Sequence, residues 1–70
     1  MRVNVMVEMT ALTLNRPTAE ADAIERAAWY KAKADLHTYL AEQGGSDAAR
    51  ETALALSAHQ RSLELLGQQN

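Results

Sequence analysis

His37 and His59 are the residues of this sequence best suited to proton transfer or to metal binding. Asp35 lies two positions before His37, and on a helix that spacing directs the two side chains away from each other. If the chain folds back at Gly44 and Gly45, facing residue numbers sum to about 90, which does not bring the two histidines level. We therefore expect neither a catalytic dyad nor a metal pair, and we expect His59, which lies on an apolar stripe, to be buried and hydrogen-bonded.

Two other segments could in principle bind ions. The acidic cluster from Glu20 to Glu25 has no Glu-x-x-His partner of the kind that di-metal helical sites use, and it suits the positive end of a helix dipole. The Gly44, Gly45, Ser46 turn lacks the lysine and the preceding strand of a phosphate-binding loop, so it predicts a capping turn. The chain has no cysteine, which excludes disulfides and thiolate metal sites. The sequence thus predicts no enzyme activity, no metal and no cofactor.

Chain length limits the core that these residues can form. A domain of 70 residues buries only about 60% of the surface that its unfolded chain exposes. Alanine is the commonest of its apolar residues, and Trp29, Tyr30 and Tyr39 are the only aromatic residues. Small proteins usually add disulfides, a metal or a partner subunit. Because the chain has no cysteine for disulfides or for a thiolate metal site, we expect a partner subunit, in the form of a homodimer.

Charge and hydropathy limit the classes of partner that are expected for this chain. The formal net charge is -2 and the signs are scattered, which argues against nucleic acid as a partner. No apolar run reaches the roughly 18 residues that a membrane span needs. The expected location is therefore the cytoplasm.

The N-terminal residues alternate between apolar and polar side chains, with Met6 as the exception on the polar side. Val3, Val5, Val7 and Met9 share one phase, a period of two that predicts a β-strand over about residues 2–10. The phase changes after Thr10, where the strand is expected to end or bulge. Because the sequence contains no second strand, we expect this strand to pair with the same strand of another copy.

The remainder of the chain has the signals of two long helices. Pro17 and Thr18 predict the start of a helix over about residues 19–43, which Gly44 ends. Ser46 is the expected cap of a second helix over about residues 47–66, and Gly67 ends it. So short a link predicts an antiparallel helical hairpin within a single domain, residues 1–70.

Each predicted helix carries two apolar stripes, whereas a hairpin needs only one stripe per helix to close. The second stripes therefore predict an intermolecular surface, although alanines there could also simply face water. The stripes of the first helix are Trp29, Ala32, Leu36, Tyr39 and Leu40, and then Ala23, Ala27, Tyr30, Ala34, His37 and Ala41. Those of the second helix are Ala49, Thr52, Leu56, His59, Leu63 and Leu66, and then Leu54, Ala58 and Leu65.

The predicted fold class is therefore mainly α, with an N-terminal strand and a two-helix hairpin. Two copies are expected to dimerise through strand pairing and helix packing into a four-helix arrangement. Trp29 would lie in the hairpin core and Tyr30 in the dimer core, or each would anchor a different interface. The residues predicted for the dimer or partner interface are Val3, Val5, Val7, Met9, Trp29, Tyr30, Ala34, Leu54, Ala58 and Leu65.

Two functional classes fit this expected architecture. A strand followed by two helices resembles the ribbon-helix-helix DNA-binding regulators, but Glu8 on the outward face of the strand would repel phosphates. The length, the alanine-rich helix from Ala23 to Ala41 and the Gly44, Gly45 link resemble the small phage-encoded inhibitors of host proteins, including the quorum-sensing anti-activators. That resemblance implies a non-enzymatic module that binds and inhibits or modulates another protein, such as a LuxR-type transcriptional activator. DNA binding is the alternative function.

Overall fold

The structure, a computed structural model, describes residues 4–67. These residues form three α-helices and no strand: α1 (Val5–Leu14), α2 (Ala23–Glu42) and α3 (Ala48–Gly67). Helices α2 and α3 pack against each other as an antiparallel hairpin, and α1 packs on α2. The helical hairpin is confirmed, whereas the predicted fold class with an N-terminal strand is wrong.

The N-terminal segment is a helix because its backbone hydrogen bonds can then be made within one chain. The side-chain Oδ1 of Asn4 caps α1 by accepting from the backbone N–H of Val7 at 3.1 Å. The change of phase after Thr10, which a strand could absorb only by a bulge, needs no irregularity in a helix. Val5 and Met9 are thus helical, as is Val7, and the predicted strand-paired dimer is excluded for them; the predicted role of Val3 lies outside the described residues.

Helix α2 begins later than the sequence suggested. Its N-cap is Asp22, whose Oδ1 accepts from the backbone N–H of Glu25 at 2.8 Å, and not Thr18. The carboxylate also complements the positive end of the helix dipole, which makes Asp22 the better cap. At the other end, Gly44 and Gly45 have φ angles of 78° and 90°. This left-handed backbone costs glycine little, and it turns the chain into α3.

Small side chains build the seam between α2 and α3. Ser62 is buried, and its hydroxyl donates to the backbone carbonyl of Ala27 at 2.8 Å, which fixes how closely the helices approach. The buried residues of the two helices are Ala27, Ala34, Leu36, Ala55, Ala58, Ser62 and Leu65. Contrary to the predicted intermolecular role, Ala34, Ala58 and Leu65 are therefore hidden within one chain, and Tyr30 and Leu54 are half-buried.

The stripe named first for each helix, which contains Trp29 on α2 and Leu56 on α3, lies outside this seam. On α2, Trp29 and Leu36 face α1, so Trp29 is not part of the hairpin seam. On α3, the stripe that contains Leu56 and Leu63 is exposed. The N-terminal helix therefore covers the surplus apolar surface of α2 and leaves that of α3 uncovered.

Candidate protein-interaction groove

An open groove lies between α1 and the hairpin. Its volume is about 380 Å³, within the range of ligand-binding clefts. Apolar side chains from α1 and α2 make up most of the lining, and polar groups stand among them. The lining residues are Met9, Leu12, Thr13, Arg16, Trp29, Lys33, Leu36, His37, Leu40 and Glu51.

Trp29 links α2, which forms the floor of the groove, to α1, which forms one wall. Its indole Nε1–H donates to the backbone carbonyl of Leu12 at 2.9 Å, the one hydrogen bond recorded between α1 and α2 in residues 4–67. Its ring stands edge-on to Tyr30, with 5.0 Å between the ring centroids. A large aromatic surface held by a polar anchor is typical of residues that carry binding energy at interfaces.

Two cations stand beside the Trp29 ring. The guanidinium carbon of Arg16 lies 5.5 Å from the ring centroid, and the Nζ of Lys33 lies 5.9 Å from it. Both distances are within the reach of a cation–π interaction. The groove therefore combines an apolar floor with positive charge at its rim.

His37 and Glu51 form the polar end of the groove. The imidazole Nδ1 of His37 hydrogen-bonds to the carboxylate of Glu51 on the facing helix, and both side chains are largely shielded from solvent. This pair was not predicted from the sequence, where only Asp35 and His59 were considered as partners of His37. The signal was available, since residues that face each other across the Gly44 turn sum to about 90.

The His37–Glu51 pair resembles the orienting half of a catalytic triad, which also needs a nucleophile beside the imidazole. Thr13 supplies the one hydroxyl of the groove lining, and this hydroxyl donates to the backbone carbonyl of Met9 at 3.0 Å. Residues 4–67 contain no group of three or more histidine and acidic side chains placed to hold a metal ion.

His59 does not take the position that its apolar stripe suggested. The residue is exposed, so the prediction of a buried, hydrogen-bonded histidine is wrong. The reason is that the stripe to which it belongs lies outside the buried seam between α2 and α3.

Helix α1 is held only lightly against the rest of the molecule. None of its residues is buried, and Leu14 is 78% exposed. Its sequence is apolar on every side, which is typical of a helix that is surrounded by protein. A helix of ten residues is also marginal in water without packing. Helix α1, which forms one wall of the groove, therefore has exposed apolar surface available for further contacts.

The structure brings only part of the predicted interface to this groove. Met9 and Trp29 line it. Val5 is half-buried on α1, and Val7 is exposed there. The groove residues that sequence reasoning missed are Leu12, Arg16 and Lys33, which fall together only once α1 is placed on α2.

Comparison with known proteins leaves these contacts as the basis for assigning a function. In the described part of the chain, no helix is both long and apolar enough to cross a membrane. No family model, no curated protein and no solved structure matches this chain.

Proposed function

We propose that this chain is a non-enzymatic interaction module that binds another protein by receiving an apolar segment with acidic flanks in the groove between α1 and the hairpin. One observation carries this proposal: the apolar floor around Trp29 is bordered by Arg16 and Lys33. Buried aromatic anchors dominate binding energy at protein interfaces, and charged groups at the rim select the partner.

The charge of the rim is what defines the partner's chemistry. Glu51 is the one carboxylate in the lining, and His37 already occupies it. Arg16 and Lys33 contact the Trp29 ring, and neither forms a salt bridge with another residue of the 4–67 range. The groove thus attracts anions although the whole chain has a formal net charge of -2. Acidic side chains beside apolar anchors match this arrangement.

The groove is also shaped for a helix or an extended segment. It is open along α1, and its floor residues Trp29, Leu36 and Leu40 follow one another along α2 at helical spacings. Such a row accepts the apolar positions of an amphipathic helix laid beside it. The resemblance to phage-encoded inhibitors adds a host transcriptional regulator, such as a LuxR-type activator, as the class of protein that would present this segment.

The alternative function, DNA binding, loses its structural basis. That alternative required residues 2–10 to form a strand that enters the major groove. Residues 5–10 belong to α1 instead, so the ribbon on which it depended does not form there.

The test uses the intrinsic fluorescence of Trp29, the only tryptophan of the chain. Two designed amphipathic peptides without aromatic residues share one apolar face, and carry either glutamate or lysine on the polar face. The acidic peptide should shift the emission to shorter wavelength with saturation, and the basic peptide should bind at least about tenfold more weakly. The overall charge of the protein would favour the opposite order, so this preference reports the groove.

Lys33→Glu and Lys31→Glu form a matched pair of variants. Lys33 lines the groove, whereas Lys31 is exposed beside Asp35, with which it forms a 3.1 Å salt bridge. Two positions on a helix differ by about 200° around the axis. Lys33→Glu should abolish the preference for the acidic peptide and Lys31→Glu should keep it. Equal effects of the two substitutions, or no saturable shift with either peptide, would contradict the proposal.

A further inference from the structure

Helix α3 has an exposed apolar strip, here called the outer stripe. Its residues are Ala49, Thr52, Leu56, His59, Leu63 and Leu66. Leu56 is 65% exposed and Leu63 is 56% exposed. These are large apolar side chains in a row along one side of a helix, the kind of surface that marks an interaction site.

The outer stripe contains no Asp, Glu, Lys or Arg. The Asp, Glu, Lys and Arg residues of α3 are Arg50, Glu51, Arg61 and Glu64. At about 100° per residue, all four project from the half of the helix opposite the stripe. Depletion of charge is the compositional mark of an interface core. A charge-free strip is best matched by another charge-free strip of similar length, and this chain provides one.

A concave surface adjoins the outer stripe. A second groove, of about 400 Å³, lies between α2 and α3 and is lined by Thr38, Ala41, Glu42, Thr52, Ala55 and Leu56. No α1 residue contributes to its lining. Thr38 is two positions beyond Leu36, which faces α1, so this groove opens on the side of the hairpin away from α1.

We propose that a second copy of this chain packs on this face, with the two α3 helices antiparallel. Leu63 of each copy then inserts into the groove beside Leu56 of the other. The two leucines are seven residues apart, or about 10 Å along the helix axis. A two-fold axis midway between them, near His59, brings each projecting leucine over its partner's groove. Only the antiparallel arrangement does this, because a parallel pair would place Leu63 beside Leu63.

The size of the face is consistent with a specific but weak dimer. Two helices side by side, each about 30 Å long and 10 Å wide, present about 600 Å² per copy and about 1,200 Å² in total, the lower end of specific interfaces. The α2 half of this face carries Lys31, Asp35 and Glu42, which form a polar rim beside the apolar core on α3. Ile24, which is exposed on the same side of α2, adds apolar area at the open end of the hairpin. Antiparallel α3 helices also set opposite ends of their dipoles side by side. The dissociation constant should be in the micromolar range.

The oligomeric state is measured by sedimentation velocity over a concentration series. The wild-type chain should shift from monomer to dimer, and Leu63→Glu should raise the dissociation constant at least about tenfold. Leu14→Glu is the control, since Leu14 is an exposed leucine on α1, away from this face. Circular dichroism confirms that both variants fold. The Leu63→Glu variant should still bind the acidic peptide, because the two grooves lie on opposite sides of the hairpin.

Single cysteines establish the orientation, because the natural chain has none. His59→Cys should give a disulfide-linked dimer on mild oxidation, since the two copies of residue 59 meet near the axis. Ala49→Cys lies on the same stripe but far from the axis, so it should not cross-link. Ser57→Cys, an exposed position off the stripe, should stay monomeric as well.

Three results would overturn the proposal. A monomer at every concentration would leave the outer stripe without a second copy. A dimer that survives Leu63→Glu but is lost in Leu14→Glu would place the interface on α1. Cross-linking of Ala49→Cys as fast as His59→Cys would establish a parallel pair, in which Leu63 does not reach the groove.

Discussion

Because Leu65 lies in the hairpin seam, the substitution Leu65→Ala should cause a large loss of folding stability. Leu65 is fully buried, with 0% of its surface exposed, and the other buried residues of the seam are alanines and a serine, whose short side chains fill little space. Leucine-to-alanine substitutions at such sites cost about 2.7–5 kcal/mol because a cavity remains. A chain of 70 residues has a total stability of roughly 4–10 kcal/mol.

Leu63→Ala is the matched control, two positions away on the same helix. More than half of the Leu63 side chain is exposed and alanine favours a helix, so the free energy of unfolding of the monomer should change by no more than about 0.5 kcal/mol. With a loss of about 3 kcal/mol, Leu65→Ala should lower the melting temperature by roughly 12–24 °C. Both variants are unfolded by heat and by urea at high dilution, where monomer predominates, and followed by far-UV circular dichroism.

The comparison distinguishes the two stripes of α3 directly. If Leu63→Ala destabilised the monomer as much as Leu65→Ala, the outer stripe would be part of the core and the packing described above would be wrong. A small effect of both would mean that the seam can collapse around the missing side chain, which close alanine packing does not allow.

Three further predictions test individual contacts. Asp22→Ala should lower stability by about 1 kcal/mol in urea titrations through loss of the α2 cap, whereas Thr18→Ala should change it little; equal losses would restore Thr18 as the cap. Ser62→Ala should cost about 1 kcal/mol by the same measurement, because it removes a buried hydrogen bond between the helices. Trp29→Phe removes the indole N–H that holds Leu12, so amide exchange in α1 should speed up while exchange in α2 and α3 stays unchanged; uniform acceleration would refute a separate role for this contact.

The error about the N-terminal segment has an identifiable physical source. The alternation around Val5, Val7 and Met9 is short and is interrupted by the apolar Met6, so it is also compatible with a helix that is apolar on all sides. Asn4 was the overlooked signal, because an asparagine followed by a helix-compatible segment can cap it. A strand also needed a partner that one chain does not supply.

The local signals of the hairpin were legible without a structure. Gly44 and Gly45 marked the turn, and the spacing of apolar residues marked two long helices on either side of it. The register that follows from the turn correctly kept the two histidines apart, and applied to His37 it would have pointed to Glu51. Boundaries were less certain, because Asp22 and Thr18 are both good caps and only packing chooses between them.

The sequence by itself determined that this chain makes long helices joined by a glycine turn and that they carry more apolar surface than one hairpin can bury. Helix periodicity, capping and turn chemistry are local properties, so neighbouring residues suffice to specify them. Tertiary structure alone decided which stripe became the seam, because that choice depends on how closely Ala27, Ala58 and Ser62 let the helices approach. It also placed α1 over Trp29, since a segment without a strong local preference adopts the structure that its non-local contacts stabilise.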